Sequence, residues 1–284
     1  MNRNRVLNRP FPQVRARFSK RDTMLYALGV GACNDPLDTR ALRFVYEDGL
    51  QALPSLCCVL AHPGGWLMEP ALEVNYVKLL HAEQHFSLQR PLPVEGEVLG
   101  DYRVTGIVDK GPDKGTLLYF GKTLSDADGT VYGNVSSTYF LRGDGGVGDW
   151  GEPGVTLPAV PESAPDGSLD MPTLDIAALI YRLSGDYNPL HADPTAAQQA
   201  GFDRPILHGL CTYGVACQSL VRAVCDSDAG RLRSMGARFT RPVFPGETIR
   251  TQWWTGADGD IQFRCISLER DLIVLDRGTA RRSA

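Results

Sequence analysis

Hydrophobic and polar residues alternate with a period near two in six stretches of this chain, arranged as two groups of three. The first group is "PLPVEGEVLGDYRVTGIV", "GTLLYFGKTLSD" and "TVYGNVSSTYFLR". The second is "RPVFPGETIRTQWWTG", "DIQFRCISLER" and "LIVLDRGTA". A period of two sends successive side chains to opposite faces, so both groups predict antiparallel strands. One segment departs from that rhythm. Ile206 to Val224 is apolar on nearly every side, which predicts a long, buried helix. Its first-half counterpart, "LPSLCCVLAH", is boxed between Pro54 and His62-Pro63-Gly64-Gly65, leaving at most about two helical turns.

The two groups belong to two copies of one unit. "YALGVGACNDPLD" at Tyr26 and "YRLSGDYNPLHADP" at Tyr181 each open with Tyr-x-Leu before a Gly-rich, Asn/Asp-Pro turn. Each is followed by a proline and an apolar segment, then by the alternating strands, so an internal duplication is the economical reading. Between the copies, residues 143–172 are dense in Gly and Pro and poor in large aliphatics, the composition of a linker. The expected divisions are residues 1–142, a linker over 143–172, and residues 173–284.

Composition narrows the class without changing the fold. Of 284 residues, 43% are hydrophobic and 22% charged, as in a globular protein, and the net charge of −4 argues against nucleic acid as a partner. No apolar run approaches the roughly 20 residues of a membrane-crossing helix. The seven cysteines are odd in number and form no CxxC pair, which fits buried thiols in a reducing compartment. The first 21 residues carry seven positive charges and no acid, but Pro10 and Pro12 interrupt an amphipathic targeting helix. A cytoplasmic location is therefore expected.

The turn at Tyr181–His191 carries more chemistry than a turn requires. Gly185, Asn188 and Pro189 supply its shape; Asp186 and His191 are not needed for it. Taken alone, Asp186 reads as a capping or turn-satisfying residue. The copies differ here: counting five from the tyrosine, Asp186 faces Gly31, and the first half has no histidine at the His191 position. A carboxylate and an imidazole on one short segment can both reach a single water. His208-Gly209 then opens the predicted helix, where free N–H groups and the helix dipole favour developing negative charge.

The run "YRLSGDYNPLHADPTAAQQAGFDRPILHGLCTYG" closely resembles the signature of the MaoC-like, (R)-specific enoyl-CoA hydratases, the hydratase 2 group. The resemblance extends through "YALGVGA", "LHAEQHF", "RPLP" and "VDKG", over roughly residues 20–280. It implies an α+β, double hot-dog fold: two antiparallel sheets, each wrapped around a helix, the N-terminal helix reduced. It also implies Asp186 and His191 as the catalytic pair, with Asn188 supporting their geometry. The departures are Ala196, where the family often has Phe; Ala82 in His81-Ala82-Glu83-Gln84, where the family often has Gly; and Pro112-Asp113 after "VDKG".

Hydration of a trans-2-enoyl-CoA to a (3R)-hydroxyacyl-CoA needs an activated water, a proton for C2 and donors for the thioester oxygen. Gly209 is the expected oxyanion donor, with His208 beside it as a substrate-side or structural residue. Lys110, Arg142, Arg204, Arg238 and Arg241 are candidates to line the entrance for anionic CoA. His81 is a further substrate-side candidate. Cys57, Cys58 and Leu60 are expected to bound an acyl tunnel in the volume left by the reduced helix, with Trp66 and Leu72 adding to its lining. No cofactor is expected beyond the CoA of the substrate, and no metal, although His81, Glu83 and His85 on a regular strand would share one face. Gly143, Gly145 and Gly148 match a dinucleotide fingerprint formally, but no helix follows, so they read as linker. A homodimer is expected, with functional coupling to a 3-hydroxyacyl-CoA dehydrogenase. The rivals are a hot-dog acyl-CoA thioesterase and a non-catalytic acyl-CoA-binding module; the absence of GxSxG excludes a nucleophile-elbow thioesterase.

Overall fold

A computed structural model describes residues 1–35 and 37–283, so Pro36 of the first-half turn and Ala284 lie outside the described residues. In chain order, the first half comprises α1 (Arg3–Leu7), β1 (Val14–Phe18), α2 (Lys20–Gly29), β2 (Leu79–Leu88), β3 (Gly96–Asp109), β4 (Thr116–Asp126) and β5 (Val131–Leu141). After the short β6 (Trp150–Gly151), the second half comprises β7 (Gly167–Pro172), α3 (Ala177–Tyr181), α4 (Pro194–Gln199), α5 (Gly209–Val224), β8 (Leu232–Phe239), β9 (Thr248–Thr255), β10 (Asp260–Ser267) and β11 (Leu272–Arg282).

The duplication is written into the strand order. The sheet runs β1-β3-β4-β5-β2-β8-β11-β10-β9-β7, with β6 paired to β3. Read outward from the central β2·β8 pair, each half repeats the same sequence of strands. All pairings are antiparallel. The two expected hot-dog sheets are thus joined edge to edge, which leaves neither inner edge open to another chain.

In the second half, α5 runs unbroken for 16 residues and fills the concave face of its sheet, with Cys211, Tyr213, Cys217, Leu220 and Val221 wholly buried. In the first half, the corresponding segment is a single 3-10 turn, Pro54–Cys58. Ala61 then takes φ 50°, and Pro63-Gly64-Gly65 prevents resumption. A truncated helix leaves its last carbonyls without partners. Two sheet side chains supply them. The buried Lys122 ammonium on β4 donates to the carbonyls of Cys57, Cys58 and Leu60 at 2.5–3.3 Å, and Tyr102 on β3 donates to that of Ala61.

The rest of the vacated face is filled by chain. The 3-10 turns Trp66–Met68 and Pro70–Leu72, together with α1, pack on β3 and β4 as a second core built from Val6, Trp66, Leu72, Leu118 and Phe120. Trp66 and Leu72, expected near the acyl tunnel, therefore belong to a different cluster from Cys57, Cys58 and Leu60. Phe11 closes on Trp66 edge to face at 5.0 Å. The linker is also shorter than expected. Residues 167–172 pair with β9 as an edge strand, because Leu169 and Met171 face the core while Ser168 and Asp170 face out.

Candidate active site

Asp186 sits in the loop between two 3-10 turns, Arg182–Ser184 and Pro189–His191. Gly185 makes the reversal at φ 115°, with open space where a Cβ would stand. The loop is built from two side-chain-to-backbone bonds in series. Asp186 Oδ1 accepts from the Asn188 amide at 3.1 Å, and Asn188 Oδ1 accepts from the Leu190 amide at 3.0 Å. Asp186 therefore does satisfy its own turn. Its second carboxylate oxygen accepts no hydrogen bond among the described residues, and the side chain is exposed.

His191 is buried, and its Nδ1 donates to the Ile206 carbonyl at 2.8 Å. A carbonyl only accepts, so Nδ1 carries the proton and Nε2 presents its lone pair. Burial pulls the His191 pKa below its usual 6.5, against the raising effects of the Ile206 bond and the Asp186 charge. His208 is the N-cap of α5 and is 1% exposed. Its Nε2 donates to the Asp186 backbone carbonyl at 3.1 Å, which ties the start of α5 to the Asp186 loop. Burial, and then the adjacent His191, bring its pKa to about 4. The two rings stack at 3.7 Å.

One ligand atom from each of Asp186, His191 and His208 lies within 4.8 Å of the others, the one such group of His, Cys, Asp or Glu among the described residues. Gly209, the first residue of α5, is exposed, and its Cβ would stand 3.4 Å from the Phe239 ring. Bonds from the Cys211 and Thr212 amides take up the His208 carbonyl. The Gly209 amide is one of the first-turn N–H groups that a helix leaves free.

The first half contributes side chains to the same place. His81 packs on Tyr139 at 5.3 Å and on Phe239 at 4.9 Å; its Nε2 is enclosed and unpartnered among the described residues. Burial brings the His81 pKa to about 4. Tyr76 and Tyr139 also lie within the field of Asp186. His81, Glu83 and His85 do not share a face. Partners of His81 and Glu83 across β5 are the adjacent Tyr139 and Thr138, so a bulge at Ala82 turns His81 away from Glu83.

The candidate cations separate. Arg238 is not a free entrance residue: it is the direct cross-strand partner of Glu83 and bonds its carboxylate at 2.6 Å. Arg241 donates to the Thr240 carbonyl, and Arg204 lies 5.0 Å over the Phe244 ring. Lys110 and Arg142 lie at the end of the first-half sheet where β3 gives way to β4 and β5 stops, and Arg142 holds the Lys78 carbonyl. Exposed Lys78, missed in the sequence because no pattern marks it, sits on the Tyr76–Lys78 turn beside the site. Arg182 was also missed, although it is inside the motif; it donates to the Tyr187 carbonyl and its charge reaches both site histidines. Gly146 and Gly148 of the glycine-rich segment donate to the Asp109 carboxylate, which ties that loop to the β3–β4 hairpin. No helix among the described residues is long and apolar enough to cross a membrane.

Comparison with known proteins matches two family profiles: the MFE-2 hydratase 2 N-terminal domain over residues 17–143 and the MaoC like domain over residues 157–276. An enoyl-CoA hydratase of Mycobacterium tuberculosis is 39% identical over 253 residues, covering 88% of this chain and 87% of the relative. The peroxisomal enoyl-CoA hydratase 2 of Arabidopsis thaliana is 36% identical over 273 residues, covering 89% and 87%. The crystal structure of a MaoC-like dehydratase from Phytophthora capsici superposes with a TM-score of 0.89 at 34% identity, covering 100% of this chain and 99% of that one.

Proposed function

The chain belongs to the MaoC-like hydratase 2 family, and on that premise we propose that it adds water to trans-2-enoyl-CoA to give (3R)-hydroxyacyl-CoA. The observation that carries this reading is the convergence of a free Asp186 carboxylate oxygen, the His191 Nε2 lone pair and the first turn of α5.

The residues divide the work as follows. Water donates one hydrogen bond to the Asp186 carboxylate and the other to His191 Nε2. Its oxygen bonds to C3 as the C2–C3 π pair moves toward the thioester, whose oxygen gains charge against the Gly209 N–H. One water proton passes to the Asp186–His191 pair and is returned to C2 from the same side, so addition is syn. Asn188 holds the turn that carries both groups. Removing an oxyanion donor typically costs about 10²–10³ in rate.

For the acyl chain, the reading favours medium, long or bulky groups, approaching the end of the residual turn at Cys57, Cys58 and Leu60, whose side chains are buried in the core. For CoA, exposed Lys78, Lys110 and Arg142 at the same end of the sheet offer phosphate partners, and exposed Arg204 over the Phe244 ring is a further candidate. A 3-hydroxyacyl-CoA dehydrogenase is the class of enzyme that consumes the product.

The experiment follows three signals on one sample: loss of enoyl absorbance, release of free CoA and the configuration at C3. Absorbance loss with a 3R product supports the reading. CoA release without hydration would make the protein a thioesterase, binding without turnover an acyl-CoA-binding module, and a 3S product would overturn the assignment of faces.

A further inference from the structure

The duplication supplies an internal control for one tyrosine. Tyr26 and Tyr181 occupy the same position in the two copies, each five residues before the Gly31/Asp186 position. Their rings face each other across the junction of the halves at 6.0 Å, and both are 1% exposed. In the copy without the chemistry, the Tyr26 hydroxyl donates to Ser55 Oγ at 2.9 Å. In the copy with it, the Tyr181 hydroxyl is fully enclosed and has no hydrogen-bond partner among the described residues.

Burying a hydroxyl without a partner opposes folding, and buried polar groups are ordinarily satisfied. The same side chain is satisfied in one copy and left open in the other, which singles out the open hydroxyl as a candidate to meet a partner from outside the chain. Its surroundings say what. The Tyr181 ring lies 4.9 Å from that of His208, the residue that starts α5. Around the side chain stand Cys211 in the first turn of α5, Cys58 at the end of the first-half turn, and the Asp186 charge. Burial keeps the phenol protonated, so it can donate. A straight enoyl thioester offers one oxygen in its acyl part, the carbonyl, which hydration places at the N-terminus of α5.

We propose that the Tyr181 hydroxyl is a substrate contact, donating to the thioester carbonyl oxygen alongside the Gly209 amide. This rests on the hydratase reading above. The sequence motif gives the tyrosine no such role; the hydroxyl singles itself out only by comparison with its copy.

Tyr181→Phe removes the hydroxyl alone and tests the proposal on the whole protein. A donor to the oxygen that gains charge should matter more in the transition state than in the ground state. The expected result is a loss of roughly 10²–10³-fold in kcat/KM for hydration, carried mainly by kcat. Thermal stability should be unchanged or raised, because an unsatisfied buried hydroxyl has been removed. Tyr26→Phe should do the reverse, lowering Tm through the lost Ser55 bond while keeping kcat/KM. Activity of Tyr181→Phe within about twofold of wild type would overturn the proposal, as would a loss confined to KM. So would a fall in Tm matching that of Tyr26→Phe, which would mean an internal partner. A wild-type protein without hydration activity would instead fail the functional reading itself.

Discussion

His191 and His208 stack with ring centroids 3.7 Å apart, yet each is anchored to a different carbonyl: His191 to Ile206 and His208 to Asp186. The crossed anchors join the Asp186 loop to the segment that leads into α5. His191 is thereby left with an Nε2 that has no partner among the described residues, while the Nε2 of His208 ties the two segments together.

Asp186→Asn and His191→Ala are each expected to lower kcat by roughly 10²–10⁴. Asparagine keeps an oxygen that can accept from the Asn188 amide, so the first variant removes charge and spares the turn. The double variant should lose little more than the worse single one, since the two groups serve one water. Steady-state hydration rates with circular dichroism as the folding control decide it, and wild-type turnover in either variant would remove the central assignment.

The pH–rate profile follows from the His191 anchor. Burial sets its pKa below 6.5, so the neutral form with a free Nε2 is already dominant at pH 7. Hydration should fall in acidic solution with an inflection below 6.5. An acidic-limb inflection above 6.5 would contradict the buried, neutral imidazole.

Stability should carry a separate acid signature. His81 and His208 have folded pKa values of about 4, whereas an unfolded histidine titrates near about 6.5. Between those values the unfolded chain binds more protons, so stability rises with pH. Their contribution is complete above about 6.5 and is lost as pH falls toward 4. Melting temperatures across that window should fall toward acid, and His81→Phe should flatten the slope.

Lys122→Met should destabilise the protein by roughly 3 kcal/mol or more, because three buried carbonyls lose a charged donor. Denaturant titration measures it. Loss below about 0.5 kcal/mol would mean that water or another group satisfies those carbonyls.

Cys58→Trp separates an acyl path beside the residual turn from a closed one. Activity on long-chain enoyl-CoA should fall much more than on a four-carbon substrate. Equal losses on both, or a wild-type protein confined to four-carbon chains, would place the chain elsewhere.

The sequence by itself determined the repeat, the strands, the long α5 and the truncation of its counterpart. These follow from local rules: a period of two, an all-round apolar run, and Pro63-Gly64-Gly65 after a proline-led segment. Asp186, His191 and Gly209 stood out as candidates for the same reason, since they lie within one short stretch. Tertiary structure alone decided what depends on partners far apart in the chain. Arg238 looks like an entrance cation until the register sets Glu83 opposite it, and the His81-Glu83-His85 face dissolves through one bulge. Lys122 reads as an ordinary strand lysine until the carbonyls of residues 57, 58 and 60 arrive at its ammonium. Tyr26 and Tyr181 are indistinguishable as letters; only packing gives the first a hydroxyl partner and leaves the second open. Local periodicity encodes which backbone elements form, but a polar side chain's role is set by whether its hydrogen bonds are met, and that is a property of the assembled interior.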